Sequence, residues 1–217
     1  MGTLYLVRHG QASFGADDYD QLSPLGWRQA RRLGAYWRER LGSGLALDAV
    51  LTGTLRRQQQ TWQGIAEGAG LAAIPHRQWP GLDEYDSHAL IAAIHPEPLP
   101  AADTPARYRA HFRLLRQALA SWMRGDTHPE GMPSYPEFVA GVVGALDHVR
   151  AHYEGDVLLV SSGGPISTAV GQVLSTPAST TIELNLRYRN SAVTEFVFTP
   201  RGHRLVSYNA LPHLAGA

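Results

Sequence analysis

Arg8-His9-Gly10, closing a short apolar run near the amino terminus, is the first place where this chain could do chemistry. A phosphomonoester is a dianion, so a site for it needs fixed positive charge. An imidazole nitrogen held in line with the leaving oxygen accepts the phosphoryl group covalently. Arg8 would supply a forked donor and His9 the nucleophile. Taken alone, the tripeptide equally describes a hydrogen-bonded histidine at a strand end beside a surface charge. Other motifs carry less. His148 and His152 lie four apart on an expected helix, a spacing that permits metal binding, but no third ligand or glutamate accompanies them, so they read as a solvated face. Gly141-Val142-Val143-Gly144 sits inside an apolar helical stripe and is no dinucleotide loop. Ser161-Ser162-Gly163-Gly164 lacks the glycine that precedes a nucleophilic serine in an elbow.

The elements that must position these groups alternate. Leu4 to Val7 reads as a buried strand that presents His9 at its end. Ser23-Pro24 caps and opens a helix running to about Leu41, with Gly26, Ala30, Leu33, Trp37 and Leu41 on one face. Asp48 to Thr52 reads as a second strand, Thr54 as the cap of a helix reaching about Ala69, and 72–76 as a third strand. Pro80 to Asp86 reads as an irregular loop. Tyr108, Phe112, Leu115, Leu119 and Trp122 form one helical stripe, and Phe138, Val139, Val142, Val143, Leu146 and Val149 another. These helices would cover a site or offer a surface to a partner. Asp156 to Val160 is the clearest strand, followed by a helix over Pro165 to Leu174, and the tail suggests paired strands over Ala192–Phe198 and Arg204–Tyr208. The pattern predicts a three-layer α/β/α sandwich with a mostly parallel central sheet, one domain over 1–217, and a helical insertion at about 86–153.

Composition sets bounds. The 217 residues are 44% apolar and 18% charged, enough for one substantial core. Basic and acidic residues balance at 19 each, so net charge calls for neither a nucleic-acid nor a membrane-surface partner, and any positive site is local. With no cysteine there is no disulfide framework and no thiolate metal site. The start lacks a basic, apolar leader pattern and no long apolar window follows, so the expected setting is the cytoplasm.

Four blocks together resemble the histidine phosphatase superfamily, which includes the cofactor-dependent phosphoglycerate mutases. They are Leu6-Val7-Arg8-His9-Gly10-Gln11-Ala12, Leu22 to Ala30, Thr54-Leu55-Arg56-Arg57-Gln58-Gln59-Gln60-Thr61 and Asp156 to Ile166. Leu82-Asp83-Glu84 and Asn209 to Leu214 also look like family segments, whereas 86–135 does not. The resemblance implies that His9 is the nucleophile and that Arg8 and Arg57 clamp nonbridging oxygens, with Gly10 beside them. Arg56 is then solvated. It implies that Glu84 protonates the departing alcohol and later helps activate water, for which partial burial must raise its pKa; Asp83 and Asp86 compete for that role. No metal and no cofactor are needed on this scheme.

One position departs from the pattern. The family usually shows Ser-His-Gly after the fourth block's strand, and here Ser162 stands where that histidine should be. Loss of a charge-assisted donor suggests about 2 to 4 kcal/mol of transition-state stabilisation, or ten-fold to several-hundred-fold in rate. The backbone N–H groups and dipole at Gly163-Gly164-Pro165 offer partial compensation, and His88 is the first side chain to examine as a substitute. The departure keeps open a weak or inactive relative that binds phosphorylated ligands or a protein partner. A mutase must hold a doubly anionic substrate, yet Ser87 to Pro100 contains no lysine or arginine, and Arg107, Arg109, Arg113 and Arg116 read as an exposed helix face. Hydrolysis of a phosphorylated small molecule or a phosphoprotein is the expectation, with a homodimer as an open possibility.

Overall fold

A computed structural model describes residues 1–13, 20–41, 46–71, 75–100 and 103–215. Its elements run β1 (Gly2–Arg8), α1 (Pro24–Leu41), β2 (Leu47–Thr52), α2 (Arg56–Ala69), β3 (Arg77–Gln78), α3 (Ser87–Ala92), α4 (Pro105–Arg124), α5 (Tyr135–His152), β4 (Asp156–Ser161), α6 (Gly163–Leu174), α7 (Ala178–Leu186), β5 (Val193–Thr199) and β6 (Gly202–Ala210). The six strands form one sheet in the order β3-β2-β4-β1-β5-β6. The first four in that order run parallel, and β5 and β6 close the sheet antiparallel.

Strand alternation divides the core into two. Val7, Val50, Leu158 and Val160 face Ala30, Leu33 and Trp37 of α1 and Trp62 and Ile65 of α2. Leu4, Leu6, Leu51, Val157 and Leu159 face the other way, against Leu119 and Trp122 of α4, Val142 and Leu146 of α5, and Ile166 and Val170 of α6. β4, central and buried on both faces, is therefore continuously apolar from Val157 to Val160 rather than alternating, as a parallel strand covered by helices must be. Fully burying each such Leu or Val is worth roughly 1.5–3 kcal/mol before entropy is charged against it. The result is the three-layer sandwich.

Several expectations are corrected. Residues 72–74 of the expected third strand lie outside the described residues, and the pairing observed on β2 is the two-residue β3, at Arg77–Gln78. Thr54 does not cap α2: the residue before the helix is Leu55, with no side-chain cap, and the Thr54 hydroxyl goes to Asp83 instead. The loop over Pro80 to Asp86 opens with a 3-10 turn at Pro80–Leu82, and α3 follows it, capped by Asp86, whose carboxylate accepts from His88 N at 2.8 Å and Ala89 N at 3.1 Å. α7 was not anticipated. No helix among the described residues is long and apolar enough to cross a membrane.

Candidate active site

The carboxyl ends of β1, β2 and β4 bring the chemistry-bearing residues together. His9 follows β1 directly and is 3% exposed. Its backbone is bolted down on both sides, His9 N donating to Ser161 O at 2.9 Å and Ser191 N to His9 O at 3.2 Å. The ring has a defined tautomer. Nδ1 lies 2.7 Å from Gly10 O, an atom that can only accept, so Nδ1 carries the proton and the Nε2 lone pair is left for chemistry. That lone pair accepts from Arg57 Nε at 3.2 Å. Burial, followed by the charges of Arg8 and Arg57, holds the imidazole well below its ordinary pKa, so it is neutral and nucleophilic at physiological pH.

Arg57 sits in the first turn of α2, 7% exposed, and its Nη1 meets Asp20 Oδ1 at 2.7 Å. The other Asp20 oxygen accepts from Arg56 N at 2.9 Å, tying the loop after His9 to the start of α2. Thr61, one helical turn on, takes Gly10 N at 3.1 Å and gives its own proton to Arg57 O at 2.7 Å. Arg8 donates through Nη1 to the Tyr188 carbonyl, while its buried Nε has no partner among the described residues, so the guanidinium keeps a donor for an anion. Arg56 is exposed, as expected.

Glu84 follows the 3-10 turn and reaches the opening of α6, where Gly164 N donates to its two oxygens at 3.0 and 3.3 Å. Desolvation raises its pKa; Arg8, the Gly164 N–H and Arg57 pull the other way and do not cancel it. The two competing acids are engaged elsewhere. Asp83 accepts from Thr54 N at 2.6 Å, and Asp86 caps α3. A Cβ at 164 would lie 2.2 Å from Glu84 Oε1 and 2.6 Å from a Tyr85 ring carbon, so any side chain there must displace the carboxylate or the ring.

Ser162 is fully buried at the position before α6, and its hydroxyl makes no cap bond. It accepts instead from Gln58 Nε2 at 2.9 Å. Gly163 packs within 3.8 Å of the Arg8 guanidinium carbon, measured to the Cβ it lacks. His88 is not joined to this cluster: its side chain is 92% exposed, beside Asp86. His148 and His152 stack on each other at the surface, with Arg77 3.3 Å from His148, far from metal-like surroundings. Among the described residues no three His, Asp or Glu side chains are grouped as a metal would need. Asp20 and Gln58 were missed from sequence. Asp20 stands in an acidic loop with no distinguishing neighbour, and Gln58 in a run of three glutamines.

The profile of the histidine phosphatase superfamily (branch 1) matches residues 4–211. Solved structures share the fold. A phosphoserine phosphatase mutant from Entamoeba histolytica, in complex with phosphoserine, superposes with a TM-score of 0.61 at 19% identity, covering 99% of this chain and 100% of its own. A mycobacterial glucosyl-3-phosphoglycerate phosphatase gives 0.63 at 22% identity, over 97% and 99% of the two chains. A phosphoglycerate mutase from Bacillus anthracis gives 0.67 at 16% identity, over 99% and 95%. No curated protein sequence matches the chain.

Proposed function

This chain belongs to the histidine phosphatase superfamily, and we propose that it is a metal-independent phosphomonoesterase working through a phosphohistidine on His9. The observation that carries the proposal is a neutral, tautomerically fixed imidazole whose unprotonated Nε2 accepts from Arg57, with Arg8 and a pKa-raised Glu84 close by.

Those positions support the following reaction. Nε2 of His9 attacks phosphorus in line, forming the N–P bond as the P–O bond to the alcohol breaks. Glu84 gives its proton to the departing oxygen. Arg8 and Arg57 hold the nonbridging oxygens, where charge spreads in the transition state. The Glu84 carboxylate then takes a proton from a water that attacks phosphorus, the N–P bond breaks, and inorganic phosphate leaves. The substrate class is a phosphorylated small metabolite or a phosphoprotein. Two of the solved relatives are phosphatases and one a mutase, so the fold serves both hydrolysis and transfer; the absence of lysine and arginine over Ser87 to Pro100 favours transfer to water.

The experiment is turnover of an aryl phosphate in the presence of a chelator, with trapping of an acid-labile phosphoenzyme. Wild type gives both, and His9→Ala gives neither. Wild-type protein that binds phosphate without turnover or a trapped intermediate would establish the binding-protein reading instead.

A further inference from the structure

On the phosphatase reading above, we infer that Gln58 is a positioning residue of the phosphate pocket, its carboxamide filling the place that serine at 162 leaves open. Gln58 lies beside Arg57 in the first turn of α2 and is fully buried. Its Nε2 carries two protons and uses both. One goes to Ser162 Oγ at 2.9 Å, the other to Leu82 O at 3.0 Å.

The first bond sets the direction of a hydroxyl. With its oxygen accepting from the amide, Ser162 has its own proton left, and no described residue takes it. An N–H donated into a hydroxyl oxygen polarises the O–H and makes it a better donor. Amide, hydroxyl and phosphoryl oxygen then form a neutral relay, where a histidine would have offered a ring N–H directly.

The second bond serves the acid. Leu82 O also accepts from Ser161 Oγ at 2.6 Å, so the carbonyl two residues before Glu84 is held by both the end of β4 and the start of α2. Gln58 thereby links the donor at 162 to the loop that carries the proton source.

The arrangement carries a cost that packing alone does not explain. Gln58 Oε1 is buried with no partner among the described residues, and it occupies the space over Gly53, 1.9 Å from where a Cβ would stand. An apolar side chain would fill that volume without stranding an acceptor. The same volume bears on position 162: a histidine ring that followed the Oγ direction would meet the carboxamide, which lies 2.9 Å from that oxygen.

Two sets of variants test this. Gln58→Met keeps length and volume but cannot donate. It should weaken binding of orthovanadate, a mimic of the transferring phosphoryl group, about ten-fold and lower kcat on p-nitrophenyl phosphate by a similar factor with KM little changed, because the Ser162 hydroxyl loses the bond that aims and polarises it. Ser162→Ala should do the same. The double variant should lose no more than the worse single, because both act through one hydrogen bond. Ser162→His alone should stay at or below wild type, while Gln58→Ala with Ser162→His should exceed Ser162→His at least ten-fold. Vanadate affinity unchanged in Gln58→Met, multiplying losses in the double variant, or a gain from Ser162→His without Gln58→Ala would each overturn the inference. Should Gln58→Met fail to fold by circular dichroism, the Ser162→His pair decides. Wild type that binds vanadate but neither turns over nor traps phosphate sinks the phosphatase reading, and the vanadate titrations still decide Gln58; wild type that does not bind vanadate sinks both.

Discussion

Replacing Glu84 by glutamine isolates the proton from the carboxylate's shape. Glutamine is isosteric and its carbonyl can still accept the Gly164 N–H, which meets Glu84 at 3.0 Å, so the loop should keep its place. What disappears is the acid. Desolvation raises the pKa of Glu84 despite Arg8, Arg57 and the Gly164 N–H, which keeps a proton on it to higher pH than an exposed carboxylate would. A positioned general acid contributes roughly 10²–10⁴-fold, or about 2.7–5.4 kcal/mol of barrier. That contribution depends on the leaving group. An alkoxide cannot depart unprotonated, whereas nitrophenolate needs little help. kcat/KM reports the first chemical step, so Glu84→Gln should lose about 10²–10⁴-fold with an alkyl phosphate and less than about ten-fold with p-nitrophenyl phosphate. The neighbouring acids provide the control. Asp83 is held by Thr54 N at 2.6 Å and Asp86 caps α3, so their asparagine variants should cost about 1 kcal/mol of stability or less and show no leaving-group dependence. Equal losses on both substrates for Glu84→Gln, or a leaving-group dependence that appears in Asp83→Asn, would refute the assignment.

Gly164→Ala should reproduce the alkyl-phosphate defect by a different route, since its Cβ would stand 2.2 Å from Glu84 Oε1 and 2.6 Å from a Tyr85 ring carbon. Overpacking of this kind costs about 1–3 kcal/mol, and a variant with wild-type melting temperature and turnover would show that the acid does not lie there. Acid stability should depend on His213, which is 8% exposed, bonded through Nε2 to Ser191 Oγ at 3.0 Å, and held down to a pKa of about 4, first by burial and then by Arg32. The unfolded chain takes up a proton on this ring as pH falls from about 6.5 to about 4 while the folded chain does not, so stability drops through that window by up to about 1.4 kcal/mol per pH unit and levels off below it. Urea melts near pH 7 and near pH 5 should differ less in His213→Gln than in wild type; an identical difference would exclude the ring.

The sheet was legible because both faces of it are buried. Val-Leu-Leu-Val at 157–160 and Leu-Tyr-Leu-Val at 4–7 can sit only in such a layer, and the glycines and polar residues past their ends mark where the site must lie. Ser23 was a legible cap, and its hydroxyl does accept Gly26 N at 3.1 Å. α7 was not legible: Ala-Ser-Thr-Thr-Ile-Glu-Leu-Asn-Leu is rich in residues of poor helix propensity, and the helix exists because Thr181 and Ile182 pack against the rest of the fold. Thr54 misled for a related reason. A threonine before a helix competes between the helix N–H groups and any nearby carboxylate, and Asp83, 29 residues away in sequence, takes it. Gln58 was hidden by its neighbours. Three consecutive glutamines on one turn point in three directions, and only Gln58 of them turns into the core; Gln59 and Gln60 are intermediate in exposure.

The pairing of Arg57 bears on which anions the pocket can accept. Without a phosphoryl group its guanidinium is already engaged, Nε with His9 at 3.2 Å and Nη1 with Asp20 at 2.7 Å. Anion binding is therefore an exchange. A singly charged carboxylate or phosphodiester offers Arg57 no more charge than Asp20 does and must still lose its hydration. A phosphomonoester dianion offers two charges and three terminal oxygens, enough to engage Arg8 Nε and the Ser162 hydroxyl while it competes for Arg57. Attack by His9 needs a second rearrangement, because its Nε2 lone pair accepts from Arg57 Nε and that bond must open before phosphorus is reached. On the proposed phosphatase chemistry, Asp20 therefore competes with an incoming anion for Arg57 Nη1, and Asp20→Asn should let weaker anions such as sulfate inhibit at lower concentration than they do in wild type; unchanged sulfate inhibition would refute that competition.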